Sequence, residues 1–505
     1  MEAVQQHARS RPGSRGFAAT LAWTIVGAVL PGAGYVAAGR RRLGLFVLLT
    51  LGLALAVGLG FLIAEKSLTL LLAELASRPT LLLVVGVGVL VLAALWIVVI
   101  LTGHRMLLRK RAPLWQQIIG AAVALVLCAT IAVPMTMASR DSFATYDLVR
   151  NVFADGDAVA ASPGSTKTPI NRADPWENKP RLNLLLLGGD SGPNREGMRT
   201  DTMIEASIDT HTGDTVLFSL PRNLQDAPFP VDNPLHDIWP NGYKGGSGSS
   251  ALLLNGVYRE AQDFHPALFP GNPDPGMYTL EGVIGEITGL PVDYYVLVNL
   301  EGFERFIDAL GGIDIDVGPN RVPIGGLNED GTPRPISKIG EWIPAGQQHL
   351  NGYQTLWFSR DRRDSDDYDR MRRQRCVINA VVEQASPVNV LTHYEELAST
   401  AEDVIDTDVP YQLFPALVEL ADQVKANPVR SLPFTDDVIT TAEPDFDLIR
   451  QLVAQALVPP TAPSTSPTTE APPTSSTTPP SSTPTSSSTA TTDPTQAVAA
   501  DSVCG

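Results

Sequence analysis

Leu182-Asn183-Leu184-Leu185-Leu186-Leu187-Gly188, then Thr202-Met203-Ile204-Glu205-Ala206-Ser207-Ile208, then Thr215-Val216-Leu217-Phe218-Ser219-Leu220 follow one another closely along the chain. The first is an apolar run of strand length, and the other two flank the turn His211-Thr212-Gly213-Asp214, so all three read as strands. Helical periodicity follows over 251–264 and 280–288, then a strand over 292–300, a helix over 301–310 and a strand over 313–317. Strands interleaved with helices predict an α/β layered fold. A long helix is predicted over Asp367–Gln384, stopped by Ser386-Pro387. Two Gly/Pro-rich stretches, 227–250 and 266–277, are too long for plain connectors and are expected to border a site.

Outward from this block the composition changes. Four apolar segments, 17–38, 43–64, 79–102 and 117–138, each approach the ~20 residues that cross a bilayer. Arg40-Arg41-Arg42 and the basic stretch 104–111 mark cytoplasmic loops, which puts everything after about Ser139 outside the membrane. Pro31-Gly32-Ala33-Gly34 is able to break the first segment into a hairpin, which leaves the side of the amino terminus open. The expected organisation is an amino-terminal tail 1–16, a transmembrane region 17–138, a linker 139–180, an extracytoplasmic globular domain 181–458 and a Ser/Thr/Pro-rich disordered tail 459–505. A net charge of -17 speaks against general nucleic-acid binding. Of the three cysteines, only Cys376 and Cys504 lie beyond the membrane region; a disulfide between them is one reading, and a buried, inert Cys376 with a free tail thiol is the other.

The candidate chemistry lies at strand ends and on the long helix. Arg360 to Arg375 packs seven arginines and five aspartates into sixteen residues of an otherwise acidic chain. Apolar segments flank this run on both sides, which favours a cleft over a free surface. Arginine's planar fork suits phosphate oxygens. Asp190 closes the first strand, Arg199 and Asp201 open the second, and Arg222 closes the third. Asp190 and Asp201 together offer hard oxygen ligands for one divalent ion. On the long helix Asp367, Arg370 and Gln374 share a face, whereas Arg372, Arg373 and Arg375 point elsewhere and are expected to be solvated or to face lipid headgroups. Gly188-Gly189-Asp190-Ser191-Gly192 has the look of a serine-protease nucleophile, but the only earlier histidines, His7 and His104, fall in the membrane third.

An ordered series of motifs runs through the globular domain. It comprises Leu186-Leu187-Gly188-Gly189-Asp190, Arg199-Thr200-Asp201-Thr202, Ser219-Leu220-Pro221-Arg222, Leu254-Asn255-Gly256-Val257-Tyr258 and Asp308-Ala309-Leu310-Gly311-Gly312-Ile313-Asp314-Ile315. It continues with Ala345-Gly346-Gln347-Gln348-His349-Leu350-Asn351-Gly352, Phe358-Ser359-Arg360-Asp361-Arg362 and Asp367-Tyr368-Asp369-Arg370-Met371-Arg372-Arg373-Gln374. In this series the chain resembles the LytR–CpsA–Psr family of bacterial envelope proteins. The resemblance implies a three-layer α/β/α sandwich with a mixed central sheet, preceded here by the membrane helices.

The activity it implies is transfer of a glycopolymer from a polyprenyl-pyrophosphate carrier to a peptidoglycan hydroxyl. Mg²⁺ or Mn²⁺ would sit on Asp190 and Asp201. Arg199, Arg222, Arg360, Arg362, Arg370 and Gln374 would hold the pyrophosphate, with Asp190 or Asp367 as proton acceptor. The partners implied are the lipid-linked glycan, peptidoglycan and membrane lipid, and arabinogalactan is a candidate donor. Two positions depart from the family pattern: Asn223 replaces an Asp, and Leu253 a Lys whose charge Lys244 is a candidate to supply. The alternatives are a prenyl-pyrophosphate phosphatase and a non-catalytic carrier-binding protein. The carrier's tail calls for an apolar tunnel, expected to be lined by Leu252, Leu254, Val257, Val283, Ile287, Phe303, Phe306 and Leu356.

Overall fold

The computed structural model describes residues 16–64, 68–108, 112–156, 170–189, 200–245, 253–326, 332, 334–361, 367–384, 405–459 and 495–499, without the side chains of 54–64, 68, 69 and Asp367. The chain divides into two compact units, Met1–Asn151 and Val152–Gly505.

In the first unit the apolar segments form helices α1 (Phe17–Val29), α2 (Ala33–Ala37), α3 (Arg41–Ala64), α4 (Leu68–Ala76), α5 (Pro79–Leu107) and α6 (Leu114–Val152). The Pro31-Gly32 pair does break the first segment. Gly32 has φ of 104°, and a Cβ there would meet the Gly44 carbonyl oxygen at 2.5 Å. Helices α5 and α6 are long and apolar enough to cross a membrane. The 39 residues of α6 span about 58 Å at ~1.5 Å per residue, far more than the ~30 Å hydrocarbon core. It continues to Val152, so the first part of the expected linker is helical. Buried polar groups tie these helices together: Thr24 Oγ1 to His104 Nδ1 at 2.9 Å, and Ser139 Oγ to the Gly86 carbonyl at 2.9 Å.

The second unit is built on a seven-stranded mixed sheet in the order β11-β10-β3-β2-β1-β4-β9. The first three strands, β1 (Arg181–Gly189), β2 (Thr200–Asp209) and β3 (Thr215–Leu220), are an antiparallel meander. Parallel partners follow on each side, β4 (Tyr294–Asn299) beside β1 and β10 (Arg430–Pro433) beside β3. The antiparallel edges are β9 (Ile405–Thr407) and β11 (Val498–Ala499). Edge strand β11 lies within the segment expected to be wholly disordered.

Side chains alternate across the sheet. Leu185, Leu187, Met203, Val216 and Phe218 pack beneath helices α7 (Pro275–Thr288) and α12 (Phe446–Ala456). Leu182, Ile204, Ala206 and Leu217 face Ile378 and Val382 of α10 (Asp367–Gln384) and Leu420 and Val424 of α11 (Phe414–Lys425). This is the three-layer arrangement. A third core joins α8 (Leu300–Ala309), α9 (Gly352–Arg360) and α10 to the small strands β5 (Ile313–Asp316), β6 (Val322–Ile324), β7 (Glu341–Ile343) and β8 (Gln347–Leu350). Asn351 caps α9 in a capping box with Gln354, and Asp308 Oδ1 accepts from the Gly352 N–H at 2.7 Å. A Cβ at Gly352 would stand 1.9 Å from the Glu304 carbonyl oxygen, so only glycine lets α8 and α9 close together. The stretch expected to be one helix over 251–264 is instead a chain of short turns: Leu254–Gly256, Val257–Arg259 and the π-type turn Glu260–Phe264.

Candidate active site

The antiparallel register of β2 and β3 sets Met203 opposite Leu220, which brings the start of β2 beside the end of β3. Arg222, two residues beyond β3, donates from Nη1 to Asp201 Oδ1 at 2.9 Å. Asn255 Nδ2 donates to the same oxygen at 3.3 Å. The turn that carries Asn255 is stitched down by backbone bonds, Asn255 N to Arg222 O at 3.1 Å and Leu254 N to Leu224 O at 2.8 Å. Helix α10 approaches the same strand end. Arg370 Nη2 donates to the Asp201 carbonyl at 3.4 Å, and Gln374 Nε2 to Thr202 Oγ1 at 2.8 Å. The four-residue spacing of Arg370 and Gln374 delivers both to β2 from one helix face. Six residues from four separate stretches of sequence thus meet at one strand end.

Burial works to raise the Asp201 pKa, but the Arg222 charge and hydrogen bond, Arg370 and Asn255 outweigh it, and the net shift is downward. Asp201 is therefore ionised at neutral pH. Its Oδ2 carries no hydrogen bond among the described residues, and the side chain keeps 29% of its exposure. This is one hard anionic oxygen, held rigid through its neighbour and open to a cation. Asp190 follows directly on Gly189, the register partner of Thr200, but lies outside the described residues, as do Arg199 and Arg362. The side chain of Asp367, which opens α10, lies outside them too.

Arg360 ends α9 with its guanidinium 5.9 Å from the Trp357 ring. Burial and then Asp308 and Glu301 raise the Glu304 pKa, while the Arg360 charge opposes them. The next residue, Asp361, is buried and takes Arg373 Nη1 on both its carbonyl (2.8 Å) and Oδ2 (3.2 Å). That pair fastens the end of α9, and so Arg360, to α10. It also corrects the sequence expectation for the helix: Arg373 and Arg375 are 9% and 3% exposed, not solvated, and only Arg372 is partly open, 3.5 Å from Asp369. Lys244 is paired with Asp226 and spends its charge there. Asn223 donates to Thr441 Oγ1 at 3.4 Å.

The expected tunnel lining does not form one surface. Leu254, Val257, Val283 and Ile287 are fully buried in the core under α7, Phe303 and Phe306 pack on the α8–α10 core, and Leu252 lies outside the described residues. The opposite sheet face is the more open one. Leu184 and Leu186 on β1 and Val296 and Val298 on β4 are only half-buried, although these are inner strands. They run in register toward Gly188 and Thr202, where Gln374 binds. An aliphatic strip thus leads along this face to the Asp201 cluster.

Residues 151–443 match the LytR_cpsA_psr family along their whole length. The chain belongs to the LytR–CpsA–Psr family. Two LytR–CpsA–Psr relatives are named polyisoprenyl-teichoic acid–peptidoglycan teichoic acid transferase TagU. The Enterococcus faecalis protein is 29% identical over 49% of this chain and 66% of its own length. The Oceanobacillus iheyensis protein is 28% identical over 51% of this chain and 71% of its own. The crystal structure of Bacillus subtilis TagV aligns with a TM-score of 0.37 at 20% identity, covering 55% of this chain and 97% of that one. Within this LytR–CpsA–Psr domain, the sequence motifs identified Asp201, Arg222, Arg370 and Gln374 as site residues. They carried Asn255 along without assigning it a task, and Thr202 and the Asp361–Arg373 pair went unread. The one available signal was Asn255 itself, an amide within a helical turn bordering a Gly-rich stretch.

Proposed function

We propose that this protein transfers a glycopolymer from a polyprenyl-pyrophosphate carrier to a peptidoglycan hydroxyl at the outer face of the plasma membrane. The observation that carries this reading is the Asp201 cluster at the end of a half-open aliphatic strip: a charged head site joined to a place for a hydrocarbon tail. Exposed hydrocarbon costs about 25 cal/mol per Å² in water, so an amphiphilic carrier is favoured over a free sugar nucleotide. The names of the relatives, acting on polyisoprenyl-linked teichoic acid, support the same class of donor. The apolar helices α5 and α6 suit a multi-pass anchor.

In the proposed reaction an acceptor hydroxyl attacks the sugar-linked phosphorus, the bond from that phosphorus to the bridging oxygen breaks, and prenyl phosphate leaves. Arg222 and Arg370 would hold equatorial and leaving oxygens, with Arg199, Arg360 and Arg362 completing the clamp. Asp201 Oδ2 and Asp190 would hold Mg²⁺ or Mn²⁺, which supplies Lewis-acid neutralisation of the pyrophosphate charge. Asp190 or Asp367 would accept the hydroxyl proton. The pyrophosphate bond itself drives transfer, so no nucleotide is required outside the cell. Binding of the carrier without turnover is the second reading. It draws on Leu253, which brings no cation, and on Lys244, already engaged by Asp226.

The deciding experiment is a reconstituted assay with lipid-linked wall glycan, arabinogalactan precursors among the donors, and peptidoglycan as acceptor, run with and without chelator. Glycan covalently joined to peptidoglycan, dependent on metal, is the expected product. Free glycan phosphate alone would establish hydrolysis instead, and bound but unreacted carrier would establish the second reading.

A further inference from the structure

Arg375 is one of the most deeply buried charges in the protein. It is 3% exposed, and neither Nε nor Nη1 has an acceptor among the described residues. Burial, and then the neighbouring Arg372 charge, bring its pKa down to about 10, with no carboxylate acting to restore it. A guanidinium buried without an anion is costly to a fold.

Its surroundings can be traced through α10. Arg375 shares a helix side with Met371, Ile378 and Val382, and the last two pack on the sheet face that presents Leu217 and Ile204. Tyr368, seven residues earlier on the same side, reaches Asp436, three residues past β10. The start of α10 thus lies toward the β3–β10 half of the sheet, and Arg375 points from that helix into the buried layer beneath it. On that half and that face stand two more buried polar groups without partners among the described residues, the hydroxyls of Ser219 and Ser431, 1% and 0% exposed. The parallel register sets Ser431 against Leu217 and Pro433 against Ser219, so the two serines are diagonal neighbours on adjacent strands.

From these placements we propose that the layer between α10 and strands β3 and β10 holds a site for a phosphate-group oxyanion, bound by the Arg375 fork and the Ser219 and Ser431 hydroxyls. A guanidinium edge with two hydroxyl donors supplies the several hydrogen bonds that a tetrahedral oxyanion takes and a halide cannot use. The site is distinct from the Asp201 cluster, because Arg370 leaves the helix about 140° away from Arg375 at ~3.6 residues per turn. Its existence does not depend on the transferase reading. The phosphate group has two possible sources, free phosphate and the head of a prenyl monophosphate.

The test uses the full chain in detergent, with Arg222→Ala introduced so that the cleft does not supply the signal. Thermal unfolding is followed by tryptophan fluorescence against inorganic phosphate, with sodium chloride at equal ionic strength as control, and separately against farnesyl phosphate. A saturable rise in midpoint with either phosphate is expected. Inorganic phosphate acting alone identifies the free anion, and farnesyl phosphate acting at far lower concentration identifies a lipid-borne head. Arg375→Met should abolish the rise, and Ser219→Ala and Ser431→Ala should each raise the half-saturating concentration about tenfold. The serine variants decide the matter alone if Arg375→Met does not fold. No saturable rise above the salt control, or one unchanged in these variants, overturns the proposal.

Discussion

Glu205 makes the stability of the second unit fall as pH rises, and Glu205→Gln should remove that fall. The residue sits in mid-β2 between Leu185 and Phe218, fully buried, with both carboxylate oxygens unpaired among the described residues. Burial drives its pKa from the ordinary 4.5 up to about 8, and Asp293 adds to the rise. Thr288 opposes it, but the Thr288 hydroxyl already donates to the Ile284 carbonyl at 2.9 Å and leaves the carboxyl unsatisfied. Between these two pH values the folded protein keeps a proton that the unfolded chain has released. Stability is therefore highest below pH 4.5, declines as pH rises, and levels off above about 8. At about 1.4 kcal/mol per pH unit, the decline attributable to this one group is at most about 5 kcal/mol. Denaturant unfolding of the full chain in detergent, followed by tryptophan fluorescence from pH 5 to pH 9, measures it. Other titrating groups are common to both proteins, so the difference between wild type and Glu205→Gln isolates the carboxyl. The variant should gain several kcal/mol on the wild type across that range. Two stability curves running parallel from pH 5 to pH 9 would refute the reasoning.

Asp201→Ala and Asn255→Ala should each lower transfer activity by tenfold or more without unfolding the domain, since the first removes the open carboxylate oxygen and the second lets it swing; turnover and circular dichroism on the same preparations check this. Asp361→Ala should destabilise the second unit by about 3–5 kcal/mol, because it strands the buried Arg373; a loss below about 1 kcal/mol in denaturant titration would show the pair to be dispensable. Cys376 is disulfide-bonded and Cys128 is free, while Cys504 lies outside the described residues. Alkylation of the denatured, unreduced protein should therefore modify one thiol per chain, with three available after reduction. Two modified thiols before reduction would place the Cys376 bond between chains and defeat the expected pairing with Cys504.

The parts of the fold that the sequence announces are those where a single pattern is unopposed. The runs at 182–188 and Thr215–Leu220 have one reading as strands, and Asp367–Gln384 is helical as its periodicity predicts. The ordered motifs bring Asp201, Arg222, Arg370 and Gln374 together, because strand ends in a layered sheet share an edge. Contacts closed by distant partners were not legible. The burial of Arg373 depends on Asp361, 12 positions earlier in the chain, and nothing in a run of mixed charges distinguishes an inward arginine from an outward one. Asn255 reaches Asp201 across more than fifty residues of chain. The more open sheet face was also hidden, since Leu184 and Leu185 are equally apolar and only the helices laid over them decide which is covered.

Strand β11 changes the kind of object that the Ser/Thr/Pro segment is. Val498 and Ala499 are hydrogen-bonded along β10, and Ala497 packs against the main core, so the segment is secured at its far end as well as at α12. It is then a tether with two fixed points, not a free streamer. Pull on it is shared between the end of α12 and a sheet edge, and a single protease cut leaves two stubs on one body instead of shedding a piece.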